Sequence, residues 1–145
     1  MELGIDIGTN MGLAWITDDG ALHYDCTNLK PGKTEDGERY INCLLALQAM
    51  QQPSIIYYEQ VRRHMGTQAA HVYGGLLAVI KMYAFKRSVP MHGIGVGIIK
   101  KHATGKGNAK KDKMIEAAKE EFGYDGNDDN EADALWILSA GRCGK

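Results

Sequence analysis

The segment from Glu2 to Gly8 constrains the fold of this chain more than any other stretch. Large apolar residues at every second position alternate there with Gly4, Asp6 and Gly8. Because successive side chains of a strand point to opposite faces, this alternation predicts a strand with one face in the core. The opposite face carries one carboxylate between two residues without side chains, which leaves room for another group to approach Asp6.

An antiparallel meander is predicted to follow from this strand. Residues 11–17 form a second apolar run and residues 21–26 a third strand, and Asp18-Asp19-Gly20 between them is a typical hairpin turn. A helix is then predicted over residues 34–50, where apolar side chains recur at helical spacing.

The fourth predicted strand is the apolar run from Ser54 to Tyr58, which ends at Glu59. A strand, a crossover helix and a second strand favour parallel pairing of the two strands. The carboxyl ends of parallel neighbours meet at one edge of the sheet, where open α/β sheets build their sites. We therefore expect Asp6 and Glu59 to lie at the same edge of neighbouring strands.

The remaining segments also predict α/β structure. Helices are expected over residues 68–86, 109–122 and 129–140, a fifth strand over residues 93–99, and a glycine-rich basic loop over residues 103–108. The predicted fold class is α/β, with a five-stranded mixed sheet of three antiparallel and two parallel strands and helices on both faces. A chain of 145 residues fits one domain, spanning residues 1–145.

Composition gives expectations about the compartment. The formal net charge is -1, so the overall balance gives no support for a nucleic-acid partner. Cys26, Cys43 and Cys143 form no CxxC pair, and we interpret them as reduced thiols, two of them buried, and not as a zinc site. The sequence contains no recognisable signal peptide and no apolar run long enough to span a membrane. We expect a cytoplasmic protein without a membrane partner.

Local charge is strongly segregated. Residues 100–113 contain six lysines and one acid, whereas residues 125–133 contain five acids and no base. This separation predicts a basic surface beside an acidic site. Gly105-Lys106-Gly107 leads into a predicted helix, whose backbone N–H groups would add to the lysine charge in binding phosphate. The alternative is that the lysines only solvate a helix, and for Lys113 we favour that interpretation.

Asp133 is the one charged residue between Ala132 and Ala140, on an otherwise apolar helix. Capping explains acids at the start of that helix but not one beyond its first turn. Because a buried carboxylate is costly unless it is paired or binds a cation, Asp6, Glu59 and Asp133 are predicted to bind Mg²⁺ or Mn²⁺. Two ions about 4 Å apart would activate a water and stabilise the leaving oxygen in phosphodiester hydrolysis.

Four segments together resemble the motifs of RuvC-like Holliday junction resolvases. In the family's order they are Asp-Ile-Gly-Thr-Asn-Met-Gly-Leu-Ala at 6–14, Tyr-Glu-Gln at 58–60, Lys-Lys-His-Ala-Thr-Gly-Lys-Gly-Asn-Ala-Lys-Lys at 100–111, and Asn-Glu-Ala-Asp-Ala-Leu at 130–135. The short length and the last motif look most like phage-type members, which would act in a bacterial host cytoplasm. The resemblance implies a ribonuclease H-like fold and a homodimeric crossover junction endodeoxyribonuclease that nicks opposed strands of four-way DNA, with four acidic residues binding Mg²⁺.

The family's site residues carry over by motif. Three acidic positions match Asp6, Glu59 and Asp133. The fourth position is Asn130, whose carbonyl oxygen can still ligate a metal, and Asp129 is also one helical turn from Asp133, so both stay candidates. The family's lysines near the scissile phosphate match two positions that also belong to the expected DNA-binding set. That set is Arg62, Arg63, Lys100, Lys101, Lys106, Lys110 and Lys111, of which Lys100 and Lys111 are the two catalytic candidates.

Three alternatives are weighed against this interpretation. The first strand and turn also resemble the phosphate loop of sugar kinases and actin-like ATPases, but those proteins need two lobes and this chain is too short. The second alternative, closer to the resolvase interpretation, is another ribonuclease H-like nuclease that acts on branched DNA generally or on RNA–DNA hybrid. The third is a junction-binding module without cleavage.

The candidate dimer surface is one stripe of mostly small residues on the helix over residues 68–86, where two helices could pack closely. The alternative is that this stripe packs on the sheet of its own chain. The stripe consists of Ala70, Gly74, Leu77, Ala78 and Lys81.

Overall fold

A computed structural model describes residues 1–32 and 37–145 of the chain. Its strands are β1 (Glu2–Asp6), β2 (Asn10–Ile16), β3 (Leu22–Asn28), β4 (Ile55–Gln60) and β5 (Met91–Gly95). They form one sheet in the order β3-β2-β1-β4-β5. β1 pairs antiparallel with β2 and parallel with β4, β2 pairs antiparallel with β3, and β4 pairs parallel with β5. The mixed five-stranded sheet predicted from the sequence is confirmed.

Helices cover both faces of this sheet, as predicted. They are α1 (Gly37–Ala49), α2 (Thr67–Lys86), α3 (Val96–Thr104), α4 (Lys111–Phe122) and α5 (Asp129–Arg142). The predicted first helix began at residue 34, and residues 34–36 lie outside the described part of the chain. The longest of the five is α2 with 20 residues. None of the described helices combines the length and the apolar character needed to cross a bilayer.

The two faces of β1 pack in different ways. Leu3, Ile5 and Ile7 belong to a core formed with α1 and α2. On the other face α5 lies directly against the strands, because the positions beneath it are glycines. A Cβ atom on Gly4 would lie 2.8 Å from the backbone nitrogen of Leu138, and one on Gly12 would lie 2.0 Å from a carbonyl oxygen of α5. The room beside Asp6 is therefore occupied by the helix that carries Asp133.

The predicted strand over residues 93–99 is wrong in its second half. β5 ends at Gly95, and α3 begins at Val96. The last pair between β4 and β5 is Gln60 with Gly95, so residues beyond it have no neighbouring strand to satisfy their backbone groups. They satisfy those groups within a helix, and an apolar run this short does not distinguish the two structures by its period. Lys100 and Lys101 consequently lie within α3 and do not simply follow the end of a strand.

Smaller differences concern helix ends and cysteines. α4 begins at Lys111 and not at residue 109, and α5 continues past residue 140 to Arg142. All three cysteines are free, but only Cys43 is buried, so the prediction of two buried thiols is wrong. Cys26 is half-buried because it lies on β3, an edge strand, and Cys143 is exposed because it follows the end of α5.

Candidate metal and DNA site

Two carboxylates meet at the carboxyl edge of the parallel strand pair. Asp6 is the last residue of β1, and Glu59 lies near the end of β4. The register pairs Ile5 with Tyr58, so the next residue on each strand is one of the two acids. This juxtaposition is the one expected from a right-handed crossover between the two strands.

The third carboxylate reaches the same edge from α5. Asp133 lies one turn into that helix and is half-buried, while its neighbours Ala132 and Ala134 are fully buried. Its negative charge contributes to raising the pKa of both Asp6 and Glu59, which shows that the three groups share one electrostatic environment. The structure therefore brings together the three acids that the sequence singled out.

The pKa values of these acids are all raised. Burial is the largest cause for Asp6, whose pKa lies well above its usual range, and the charges of Asp133 and Glu59 add to the effect. The pKa of Glu59 is likewise raised to about 7, mainly by burial and also by the charge of Asp133, against the opposing charge of Lys100. For Asp133 the pKa is about 6, again mainly from burial. Ionising all three together at neutral pH is unfavourable without an added cation.

Protein cations do not neutralise this cluster directly. Within residues 1–32 and 37–145, ion pairs use the carboxylates of Asp18, Asp129, Glu116 and Glu2 and none of the three site acids. Over the same residues, no fully enclosed side-chain oxygen or nitrogen lacks a hydrogen-bond partner. The site acids thus keep oxygen atoms that are open to an incoming ligand.

The donor chemistry of this edge fits a hard divalent cation. Carboxylate oxygens are the preferred protein ligands of Mg²⁺ and Mn²⁺. The fit is not that of a finished cage, since no three His, Cys, Asp or Glu side chains in the described ranges converge closely enough to hold an ion by themselves. Mg²⁺ is typically held by one or two carboxylates, with waters and substrate phosphates completing its shell. A sheet edge with few protein ligands and open coordination positions is compatible with this mode of Mg²⁺ binding.

The two candidates for a fourth ligand have different surroundings. Asp128 caps α5, and its Oδ1 accepts from the backbone N–H of Asn130 at 2.8 Å and from the side-chain Nδ2 of the same residue at 3.1 Å. Asn130 is thus held toward the helix cap. Asp129 pairs with Lys111, and its charge helps to raise the pKa of Asp6 and of Asp133. The carboxylate of Asp129 is thus tied to Lys111, whereas the amide of Asn130 is tied to the cap through its nitrogen.

Basic residues surround this acidic edge. Lys100 is half-buried on α3, and its charge lowers the pKa of Glu59 and of Asp133. Lys111 begins α4 and lies close enough to Asp6 and Asp133 for their charges to raise its own pKa, although its pairing with Asp129 is the largest cause. The two lysines carried over as catalytic candidates therefore do lie beside the carboxylates.

The other predicted DNA-binding residues are exposed. Lys101 lies on α3, and Lys106 follows Gly105, which ends that helix with a φ of 77° in the left-handed region. Lys110 is the residue preceding α4 and makes no capping hydrogen bond through its side chain. Arg62 and Arg63 lie in the loop that leaves β4 just after Glu59. Exposed cations of this kind are free to meet a phosphate backbone.

One residue with a structural role at the site was not foreseen. The Tyr73 hydroxyl donates to the carbonyl oxygen of Glu59 at 2.8 Å and accepts from the backbone N–H of Val61 at 3.1 Å. This side chain on α2 fixes the end of β4, where Glu59 lies. Its role depends on how α2 crosses the sheet edge, for which the sequence contains no local signal.

The fold has well-defined counterparts among solved structures. Thermus thermophilus RuvC in complex with a Holliday junction substrate matches with a TM-score of 0.77 and 24% identity over 99% of this chain and 95% of that chain. Thermus thermophilus RuvC in a second structure matches with a TM-score of 0.73 and 24% identity, covering 99% and 96%. The yeast mitochondrial Holliday junction resolvase Ydc2 matches with a TM-score of 0.63 and 18% identity, covering 96% and 76%.

These likenesses show that the chain has the RuvC-type, ribonuclease H-like fold, as predicted. At such identities they establish the fold alone. Neither a protein-family model nor a curated protein sequence matches the chain.

Proposed function

We propose that this chain is a Holliday junction resolvase, a metal-dependent endonuclease that nicks opposed strands of four-way DNA. The observation that carries the proposal is the group formed by Asp6, Glu59 and Asp133, half-buried at one sheet edge with raised pKa values and with no cation of the described residues in an ion pair with them. The RuvC-type fold supports it. Free thiols suit a cytoplasm, which would be that of a bacterial host if the protein is phage-encoded.

The three carboxylates would hold two Mg²⁺ ions, and Mn²⁺ could take the place of Mg²⁺. Bound there, the metal would supply Lewis-acid stabilisation of the phosphodiester and a water nucleophile at neutral pH. Asn130, through its carbonyl oxygen, and Asp129 are both candidates for the fourth ligand. Lys100, close to Glu59 and Asp133, is positioned to stabilise charge on the scissile phosphate. Lys111 orients Asp129 through its ion pair.

The exposed cations around the acidic edge would bind the DNA backbone. They comprise Arg62 and Arg63 after β4, Lys101 on α3, and Lys106 and Lys110 before α4. Phosphate contacts from such residues set the affinity and orientation of the DNA, whereas the carboxylates would oppose binding until a cation neutralises them.

We further propose that the active form is a homodimer, because two nicks in opposed strands require two sites held in a fixed relation. The candidate stripe on α2 is available for a partner. Gly74, Ala78 and Lys81 are exposed, and a Cβ atom on Gly74 would meet nothing within 4 Å. The core side of α2 is formed by other residues, among them Leu76 and Ile80. Ala70 and Leu77 are half-buried, and Leu77 packs against the core, so the exposed part of the stripe that supports a partner surface is Gly74, Ala78 and Lys81.

The test is cleavage of four matched substrates with Mg²⁺. A four-way junction, a fork, a duplex and an RNA–DNA hybrid of the same sequences are incubated with the protein, and strand-specific products are measured. We expect paired nicks in opposed strands of the junction and little cleavage of the duplex. Equal cleavage of fork and junction would favour a general branched-DNA nuclease. Preferential cleavage of the hybrid would favour a ribonuclease H activity, and tight junction binding without cleavage would favour a binding module.

A further inference from the structure

We propose that the outer edge of β3 is a docking strand for a partner protein, which adds a basic extended segment to the sheet and inserts one apolar side chain into a neighbouring pocket. This inference goes beyond the proposed nuclease activity and does not depend on it. Within the described residues β3 has a neighbouring strand on one side only, because it lies at the end of the sheet. An outer strand presents backbone N–H and C=O groups that can pair with a strand from another chain.

The hydrogen bonds of β3 show which of its backbone groups face outward. The N–H of Leu29, just after the strand, donates to the carbonyl oxygen of Thr9 on the β2 side at 2.7 Å. The N–H of Cys26 instead donates to Oδ1 of the exposed Asp25 at 2.9 Å. Alternate residues of an antiparallel strand direct their backbone groups to opposite sides. The residues whose groups point away from β2 are therefore Leu22, Tyr24, Cys26 and Asn28.

The two outer strands of the sheet differ in how their edges are protected. β3 has seven residues in continuous register with β2, without a bulge, a proline or a lysine, and its one acid is Asp25. Bulges, prolines and lysines are the usual devices that prevent unwanted strand pairing. β5 is shorter, with five residues of which two are glycines, and Nε2 of His92 hydrogen-bonds to the carbonyl oxygen of Lys145 at 2.8 Å. Residues after α5 thus lie beside β5, and β3 is the longer and less protected edge.

The surroundings of the β3 edge are acidic. The pKa of the Cys26 thiol is raised to about 11, mainly by burial, and the charges that add to the shift are carboxylates of β1, β3 and the start of α5. Asp125 lies alongside as well, since it accepts a hydrogen bond from the Tyr24 hydroxyl at 2.6 Å. A surface of this charge repels a DNA backbone and attracts lysine and arginine. The occupant that complements it is a basic protein segment and not nucleic acid.

An apolar pocket of about 220 Å³ lies beside the start of β3. Its apolar lining consists of Ile16, Leu22, Phe122, Leu135 and Leu138. Leu22 is the first residue of β3 and is 36% exposed, and Arg142, which also lines the pocket, is paired with Glu2. Facing side chains of neighbouring strands lie about 4.5–5.5 Å apart, so an added strand would place one side chain next to Leu22. The pocket is smaller than the roughly 300–1,000 Å³ of small-molecule sites and suits one large apolar side chain.

The first experiment titrates the protein with fluorescently labelled synthetic peptides and measures anisotropy. The parent peptide is rich in lysine and β-branched residues and carries one phenylalanine, and we expect it to bind. Alanine in place of the phenylalanine should weaken binding about 10–100-fold, because an aromatic side chain is no longer buried. Glutamate in place of the lysines should abolish binding. N-methylation of one alternate set of backbone nitrogens should abolish it too, whereas methylation of the other set should not, because only one edge of the peptide faces β3.

Variants of the protein locate the binding surface. Asp25→Lys reverses the exposed charge on β3, and Leu22→Asp places a carboxylate beside the apolar pocket. Each should weaken binding of the parent peptide by about tenfold or more. Glu120→Lys is the matched control, because Glu120 is an exposed acid that lines the groove between α3 and α4. It should bind the peptide like the wild type, and circular dichroism verifies that each variant is folded.

The second experiment measures amide hydrogen exchange by NMR, with and without the parent peptide. The backbone N–H groups of Tyr24 and Cys26 should exchange more slowly when the peptide is bound, because they then lie inside a sheet. No binding of the parent peptide, equal binding of both N-methylated forms, or full affinity in Asp25→Lys would overturn the proposal. It would also be overturned if single-stranded DNA displaced the peptide from this edge, or if Asp25→Lys abolished self-association of the chain, which would assign the edge to a second copy.

Discussion

The two faces of β1 obey different packing rules although they belong to the same five residues. Toward α1 and α2 the strand presents Leu3 and Ile5, which fill a core of large side chains. Toward α5 it presents Gly4, so a helix backbone lies where side chains would otherwise stand. The first face stabilises the fold through apolar area. On the second face β1 itself has less side chain to bury, and the close approach of α5 brings Asp133 beside Asp6, while large side chains of α5 and the neighbouring elements form a second apolar core around them.

The largest expected effect is the loss of one charge from the α5 face. Asp133→Asn keeps the size of the side chain but removes the proposed metal ligand, and a metal at this site would supply several kcal/mol of transition-state stabilisation, so junction cleavage should fall by at least about 10³-fold. Junction binding should change little, because the affinity comes from cations that meet phosphates. Single-turnover cleavage and gel-shift titration of the same junction measure the two quantities. Near-normal turnover would show that Asp133 is not a ligand.

A methyl group placed under α5 should break the close packing itself. In Gly12→Ala the new Cβ would lie 2.0 Å from the carbonyl oxygen of Asn130, so α5 must shift and the free energy of unfolding should fall by about 1–3 kcal/mol. Cleavage should fall as well, since Asp133 moves with the helix. Gly8→Ala is the control for stability, because its Cβ would have its nearest contact at an ordinary 3.5 Å. Equal urea midpoints for the two variants would contradict the packing described for this face.

Adjacent glycines on α2 separate the core side from the proposed dimer side. A Cβ on Gly75 would lie 2.4 Å from the ring of Tyr40, whereas one on Gly74 would meet nothing within 4 Å. Gly75→Arg should therefore lower the melting temperature by several degrees, corresponding to a loss of about 1–3 kcal/mol. Gly74→Arg should melt close to the wild type but sediment as a monomer. A wild type that is monomeric both free and on a junction would remove the dimer from the proposal.

The raised pKa values predict a metal-sensitive dependence of stability on pH. The folded protein binds protons at Glu59 and Asp133 more tightly than the unfolded chain does, so their contribution is full below about pH 4 and is lost as the pH rises through 6 to 7. Without a divalent cation, the melting temperature should be a few degrees lower at pH 7.5 than at pH 5. Mg²⁺ should recover the loss at pH 7.5. In Asp133→Asn, both the change of melting temperature with pH and the stabilisation by Mg²⁺ should be smaller than in the wild type. Unchanged values would show that the metal does not bind at these acids.

The smallest expected effect concerns the lysines on and after α3, on the same side of the sheet as α5. Lys100→Ala combined with Lys106→Ala should reduce the slope of log binding constant against log salt by about 0.9 for each phosphate contact removed. Lys119→Ala on α4 is a suitable control, since that side chain donates to Asn127 at the far end of its helix. A slope that stays unchanged in the double variant, measured by titration between low and moderate salt, would exclude these lysines from the DNA surface.

Sequence reasoning succeeded where the physical signal is local or follows from chain topology. The alternation around Asp6 and the crossover to Glu59 predicted the strand pairing correctly, and an isolated acid on an apolar helix singled out Asp133. The start of α3 was missed because it depends on the length of β4, its neighbour in space. The pairing of Lys111 with Asp129 and the hydrogen bond from Tyr73 to Glu59 join residues that lie on different elements. Their spacing in the sequence therefore does not predict these contacts.

The direct contact between α5 and the sheet also determines which substitutions natural variation can accept. Leucine and isoleucine can replace each other on the α1 and α2 face with some repacking. At Gly4, Gly12 and Gly141 even one added carbon meets the helix backbone or the ring of Tyr57 at less than 3 Å. In a saturation library selected for junction cleavage, these three positions should tolerate as few residues as Asp6 itself. The glycines at these positions therefore determine how closely α5, which carries the proposed metal ligand Asp133, can lie against the sheet.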